Sequence, residues 1–217
     1  MVLKGHQLNL NLEKRGIKLG ENLIVIVISY LIGNFSSAYV LGKLFQKKDV
    51  REYGSGNAGA TNALRVFGVK IGFIAFILDV LKGILAATIG NRILGYNGAL
   101  LASIFVVIGH NWPILLGFQG GKGIAASFGV MLYLHWPATL ICAIIAIIAI
   151  TKTRYVSLGS ILGAIFMPIL SNVINRPFNL SFFITTTILA VMALWRHKEN
   201  IQRLKSGTES KLGDKIN

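Results

Sequence analysis

Apolar residues fall along this chain in blocks too long for the core of a soluble domain, and polar residues gather between them. The blocks cover residues 23–44, 69–89, 93–116, 124–150, 155–175 and 177–195. A bilayer core takes roughly 20 helical residues, so each block predicts at least one membrane-crossing helix. The intervening stretches carry glycine clusters, Gly54-Ser55-Gly56-Asn57-Ala58-Gly59-Ala60-Thr61-Asn62 and Gly117-Phe118-Gln119-Gly120-Gly121-Lys122-Gly123. If these loops and the basic tail from Arg196 share one side, an even number of crossings must separate them. Between Lys122 and His197 that requires four helices, so the 124–150 block breaks at His135-Trp136-Pro137 into two short ones. The pattern predicts an all-α integral membrane fold: a polytopic bundle of about seven short transmembrane helices with cytoplasmic glycine-rich loops. Residues 1–21 read as a polar N-terminal tail, 22–212 as a single membrane domain and 213–217 as a C-terminal tail.

Composition strengthens that reading. Mean hydropathy is +0.64, and 14% of residues are charged against about 25% in soluble domains. The net charge of +14 comes from basic residues between the apolar blocks, which fits anionic headgroups and anionic substrates, not nucleic acid. Of the 22 Lys and Arg, 15 fall in segments this topology places inside, and the outer loops hold only Arg92 and Arg176, in line with the positive-inside bias. Lys4, Lys14, Arg15 and Lys18 run against it, since the tail that carries them lies outside. Cys142 is the only cysteine, and the histidines at 6, 110, 135 and 197 lack metal-ligand spacing, so neither a disulfide nor a metal is expected.

The glycine clusters suit backbone turned to point successive N–H groups into one concavity, an anion nest. Gly54-x-Gly56-x-x-Gly59, with Asp79 twenty residues on, imitates a dinucleotide fingerprint. The charged stretch 47–52 stands where the preceding strand would have to be. The second loop is not a nucleotide P-loop either, because Leu116 and Gly123 occupy the positions of its first glycine and its hydroxyl residue. Four clusters meet on the inner side: 55–65, 120–123, 154–160 and 197–209. Arg65, Lys122 and Arg154 around one pocket would repel without anions, and there is room for two phosphates. His197-x-x-Asn200 lies on one helical face, so Asn200 is placed to hold the imidazole. Asp79 and Lys82, three apart inside an apolar block, read as a structural pair. Neither a Gly-x-Ser-x-Gly elbow nor a His-x4-Asp signature occurs. Direct transfer between two bound phosphorylated substrates stays open, and the alternative is a membrane anion transporter or phospholipid-handling protein.

The motifs 53–62 with Arg65, Gly109-His110-Asn111-Trp112-Pro113 with 120–123, Arg154-Tyr155-Val156-Ser157-Leu158, and 197–204 with Gly207-Thr208-Glu209 resemble, in order and spacing, the bacterial membrane acyltransferases that acylate glycerol 3-phosphate with acyl phosphate. The resemblance covers residues 23–212. It implies transfer from acyl phosphate to the sn-1 hydroxyl, giving 1-acylglycerol 3-phosphate and inorganic phosphate, the first step of phosphatidic acid synthesis. It also implies no cofactor, and a multi-pass protein of the bacterial cell membrane with its site on the cytoplasmic face. By the same resemblance Ser55, Gly56, Asn57, Gly59, Thr61 and Asn62 hold the acyl phosphate. Arg65, Gly120, Gly121, Lys122, Gly123, Ser160, His197 and Asn200 hold glycerol 3-phosphate. Catalysis falls to His197, Asn200, Arg65 and Lys122, and Glu209, Asp79 and Lys82 are structural. The base is either His197 or a substrate phosphate oxygen, with the phosphate favoured.

Overall fold

The structure, a computed structural model, describes residues 2–174 and 177–214, with side chains from Lys18 onward. Its helices are α1 (Val2–Asn34), α2 (Ser37–Leu41), α3 (Ala60–Phe67), α4 (Val69–Asn111), α5 (Ile124–Thr153), α6 (Val156–Ile174), α7 (Leu180–Arg196) and α8 (Lys198–Ser206). By length and composition four stretches qualify as membrane spans, or five if α7 and α8 count as one broken span. Two of those stretches fold back on themselves. In α4 the backbone leaves helical geometry at Leu94 and Gly95, three residues after the boundary expected at 91–92. A Cβ on Gly90 would collide with the Gly98 carbonyl and one on Gly98 with the Gly90 carbonyl, so the two halves lie backbone to backbone. In α5 the break is at His135. Thirty straight helical residues would span roughly 45 Å, yet Lys122 and Ser157, just outside the two ends, are linked through Asn200 and Glu209. The chain therefore bends back at His135. Counting α1, both halves of α4, both halves of α5, α6 and α7 gives seven membrane helices.

The protein is thus a multi-pass integral membrane bundle, and it departs from the expected spans at its start. The first span does not run unbroken through 44. Helix α1 starts at Val2, so described residues of the expected tail are helical, and it stops at Asn34. Ser36 then caps α2, accepting from the Tyr39 N–H. A break inside a membrane span strands backbone carbonyls that water cannot reach. Here the Lys82 ammonium takes two of them, Phe35 O at 2.7 Å and Gly33 O at 3.3 Å. The expected turn at Arg176-Pro177 lies partly outside the described residues. Small residues let α1 and α4 close tightly: a Cβ on Gly33 or Gly109 would strike backbone of the opposite helix. That contact fixes the floor on which both glycine loops rest.

Candidate active site

A cavity of about 500 Å³ opens between the glycine loops and runs among α4, α5, α6 and α7. Helices α3 and α5 both begin on its rim, at Ala60 and Ile124. First-turn N–H groups have no intrahelical acceptor and carry the positive end of the helix dipole, so two such ends on one cavity favour anions there. Before α3, Gly54 and Gly56 take left-handed geometry (φ +61° and +67°), which an L side chain resists. Buried Asn62 sets this loop from within: its Oδ1 accepts from the Ser55 N–H at 2.9 Å and its Nδ2 donates to the carbonyls of Val50 and Tyr53. Asn62 borders the cavity, but its amide is occupied shaping the loop, so it acts by building the nest. Ser55, Asn57, Gly59, Thr61 and Arg65 border the cavity directly, whereas Gly56 is exposed at the loop's crest. Asn57 Nδ2 donates to Gly120 O at 3.3 Å and ties one glycine loop to the other.

The second loop is pressed against the end of α4. Gly121 N–H donates to the His110 carbonyl at 3.0 Å, and a Cβ on Gly121 would overlap the His110 ring. Arg196 donates to the carbonyls of Gly121 (3.0 Å) and Gly120 (3.1 Å). Gly120 and Gly121 are therefore buried backing, and it is Lys122 and Gly123 that reach the cavity. Sequence reasoning left Arg196 unassigned, because nothing in a basic tail marks which arginine turns inward.

Glu209 organises the cations. Its Oε1 accepts from Ser157 Oγ (2.8 Å) and Asn200 Nδ2 (2.7 Å), and its Oε2 from Arg203 Nε (2.8 Å). Lys122 donates in turn to Asn200 Oδ1. Burial raises the Glu209 carboxyl, but these three donors outweigh it and leave it below its ordinary value. Burial first, then Arg203, brings Lys122 down to about 8, with Glu209 opposing and Arg65 and Arg196 adding to the fall. Lys122, Arg65 and Arg203 thus share the Glu209 carboxylate, Arg196 adds a further positive charge that acts on Lys122, and a bound anion would relieve their repulsion. Burial and the Lys122 charge hold His197 at about 4. At neutral pH its Nδ1–H donates to the Ala193 carbonyl at 2.7 Å, so Nε2 is left as an acceptor.

Three expectations change here. Asn200 bonds Lys122 and Glu209, not His197. Arg154 turns away from the cavity to hold the Leu212 carbonyl at 2.7 Å, and Arg196 and Arg203 stand in the cation set instead. Ser160 borders the cavity, but its hydroxyl donates to the Val156 carbonyl at 3.0 Å, so only its lone pairs face a ligand. Asp79 and Lys82 pair at 2.8 Å as part of a larger buried cluster: Ser37 Oγ donates to Asp79 at 2.9 Å and His110 Nδ1 lies 2.8 Å from Lys82 Nζ. Both Asp79 and His110 border the cavity. The sequence placed His110 in the Gly109–Pro113 motif of the resemblance but gave it no role of its own.

Known proteins match this arrangement. The family model described as glycerol-3-phosphate acyltransferase matches residues 23–207. A glycerol-3-phosphate acyltransferase of Alkaliphilus metalliredigens is 46% identical over 194 residues, covering 89% of this chain and 97% of the relative. One from Thermoanaerobacter pseudethanolicus is 48% identical over 193 residues, covering 89% and 96%. The crystal structure of PlsY (YgiH), an integral membrane glycerol 3-phosphate acyltransferase, in its glycerol 3-phosphate form superposes with a TM-score of 0.83 at 32% identity, covering 88% of this chain and 96% of that one. Its lysophosphatidic acid form superposes at 0.80. On this fold, this cation-lined cavity and these matches, the chain belongs to the integral membrane glycerol-3-phosphate acyltransferase family and is an enzyme that acylates glycerol 3-phosphate.

Proposed function

We propose that the acyl donor is an acyl phosphate, that the sn-1 hydroxyl attacks it directly, and that the site faces the cytoplasm of a bacterial cell. The observation that supports this most is the pairing of two helix N-termini with an excess of cations over one cavity, which suits two phosphates side by side. The acyl phosphate sits with its headgroup at Ser55, Asn57, Gly59 and Thr61 and its chain among the apolar side chains below. Glycerol 3-phosphate sits against Arg65, Lys122 and Gly123, with its non-reacting sn-2 hydroxyl donating to His197 Nε2 and its sn-1 hydroxyl left free to attack. The hydroxyl oxygen bonds to the acyl carbon, the bond from that carbon to the phosphate oxygen breaks, and phosphate leaves with the bonding pair. The hydroxyl proton passes to a phosphate oxygen, whose pKa near 6 suits it better than an imidazole at about 4. The products are 1-acylglycerol 3-phosphate and inorganic phosphate, with no acyl-enzyme between. An acyl phosphate is already activated, so alignment in one cavity supplies much of the acceleration, an effect worth up to roughly 7–11 kcal/mol.

The test is a proteoliposome assay with glycerol 3-phosphate and either palmitoyl phosphate or palmitoyl-CoA. Lysophosphatidate from palmitoyl phosphate alone supports the reading, and product from palmitoyl-CoA alone overturns it. Family membership displaces the transporter alternative.

A further inference from the structure

The cluster beneath the second glycine loop fixes the tautomer of His110. Lys82 Nζ lies 2.8 Å from Asp79 Oδ1, 2.7 Å from Phe35 O and 3.3 Å from Gly33 O. A carboxylate and two carbonyls hold it as an ammonium, which has hydrogens to give and no lone pair. His110 Nδ1 stands 2.8 Å from that same nitrogen, so Nδ1 must accept. A neutral imidazole accepting at Nδ1 carries its hydrogen on Nε2.

That N–H has no partner among the described residues, although His110 is buried and borders the cavity. Nε2 lies against Gly121 on the side where any side chain would stand, next in the chain to Lys122. His110 closes α4 immediately below the loop that carries Lys122. A donor whose phosphate rests at the N-termini of α3 and α5, with its chain running down past Met131 and Cys142, brings its carbonyl through this level of the cavity.

We propose that His110 is a catalytic residue: its Nε2–H donates to the carbonyl oxygen of the acyl donor and forms the oxyanion site of the transfer. The proposal rests on the acyl-phosphate reading above. As the glycerol 3-phosphate oxygen bonds to the carbonyl carbon, the C=O π pair moves onto the carbonyl oxygen, and the Nε2–H bond strengthens with the growing charge. When the pair returns, the bond to the phosphate oxygen breaks and phosphate departs with its electrons and the hydroxyl proton. His110 gives up no proton, so Lys82 keeps its hold on Nδ1 throughout. Lys82 and Asp79 are positioning residues in this account, setting the tautomer without touching substrate.

Two variants and one spectrum test it. His110→Asn keeps an oxygen near the place of Nδ1 for Lys82 but puts nothing at the reach of Nε2. Its kcat with palmitoyl phosphate should fall about 100–1000-fold, with the KM for glycerol 3-phosphate within about 2-fold of the parent. His110→Gln reaches the place of Nε2 and should recover about 10-fold over His110→Asn. The carbonyl band of 13C-labelled palmitoyl phosphate, bound without glycerol 3-phosphate, should lie lower in the parent than in detergent micelles. A His110→Asn kcat within about 5-fold of the parent, equal impairment of both variants, or an unshifted parent band would each overturn the assignment. The spectrum needs no variant, so it decides the matter even if neither substitution folds. If the parent uses palmitoyl-CoA alone, the donor reading fails first and takes this assignment with it. A parent active with palmitoyl phosphate whose band is unshifted sinks His110 alone.

Discussion

Lys122 carries its charge where burial and three arginines work against it, and that makes the site sensitive to alkali. Its pKa of about 8 is depressed from 10.5, so the free enzyme loses this cation as pH rises through 8 and keeps it below. The KM for glycerol 3-phosphate should therefore climb above pH 8. It should also climb below about 6, where the substrate phosphate becomes a monoanion. Lys122→Arg, which cannot lose its proton in this range, should flatten the alkaline limb; a limb unchanged in that variant would exclude Lys122 as its source. His197 makes the opposite prediction. An imidazole at about 4 is uncharged across the working range, so His197→Gln should raise the KM about 10-fold while kcat stays within about 3-fold. A kcat loss above 100-fold at saturating substrate would instead make His197 the base. The cations were readable as residues, but their partners were not: Asn200 sits four residues after Arg196 and three before Arg203, and only the fold shows that Glu209 draws it away from His197.

At the scale of elements, both glycine loops depend on helices that come close because side chains are missing. Gly121→Ala would push the His110 ring from its place, shifting Lys122 with it. A kcat loss of at least 100-fold is expected in steady-state assays, with destabilisation of about 1–3 kcal/mol seen as a lower Tm in detergent. The buried Asp79–Lys82 pair couples the break after α1 to the end of α4. Lys82→Met leaves Asp79 uncompensated and should cost about 3–5 kcal/mol. Removing both charges with Asp79→Leu and Lys82→Met should return much of that stability while activity stays lost, because His110 then loses its partner; recovery of activity in the double variant would contradict this. The sequence pattern located the break in α5 because histidine, tryptophan and proline interrupt an apolar run. It missed the break after Asn34, where Gly33, Asn34, Ser36 and Ser37 sit inside a stretch apolar enough to read as one span and the free carbonyls are satisfied from another helix by a lysine 47 residues away.

Across the whole molecule, the even-crossing requirement joins distant segments into one site, and that much was legible once the loops were assumed to share a face. The depth of the apolar cavity was not, since it depends on how both halves of α5 line it. Cys142 borders that apolar part. Cys142→Phe should narrow it and lower kcat/KM for palmitoyl phosphate at least about 10-fold relative to decanoyl phosphate, a few methylenes at about 1–3 kcal/mol each. Equal effects on both donors would place the chain elsewhere. The central claim is direct transfer between two anions held together, and rapid-quench of enzyme mixed with 32P-labelled palmitoyl phosphate tests it most directly. Without glycerol 3-phosphate, the account predicts no phosphate burst and no change in intact protein mass, and with it one phosphate per lysophosphatidate. A stoichiometric burst accompanied by protein heavier by one palmitoyl group would contradict it.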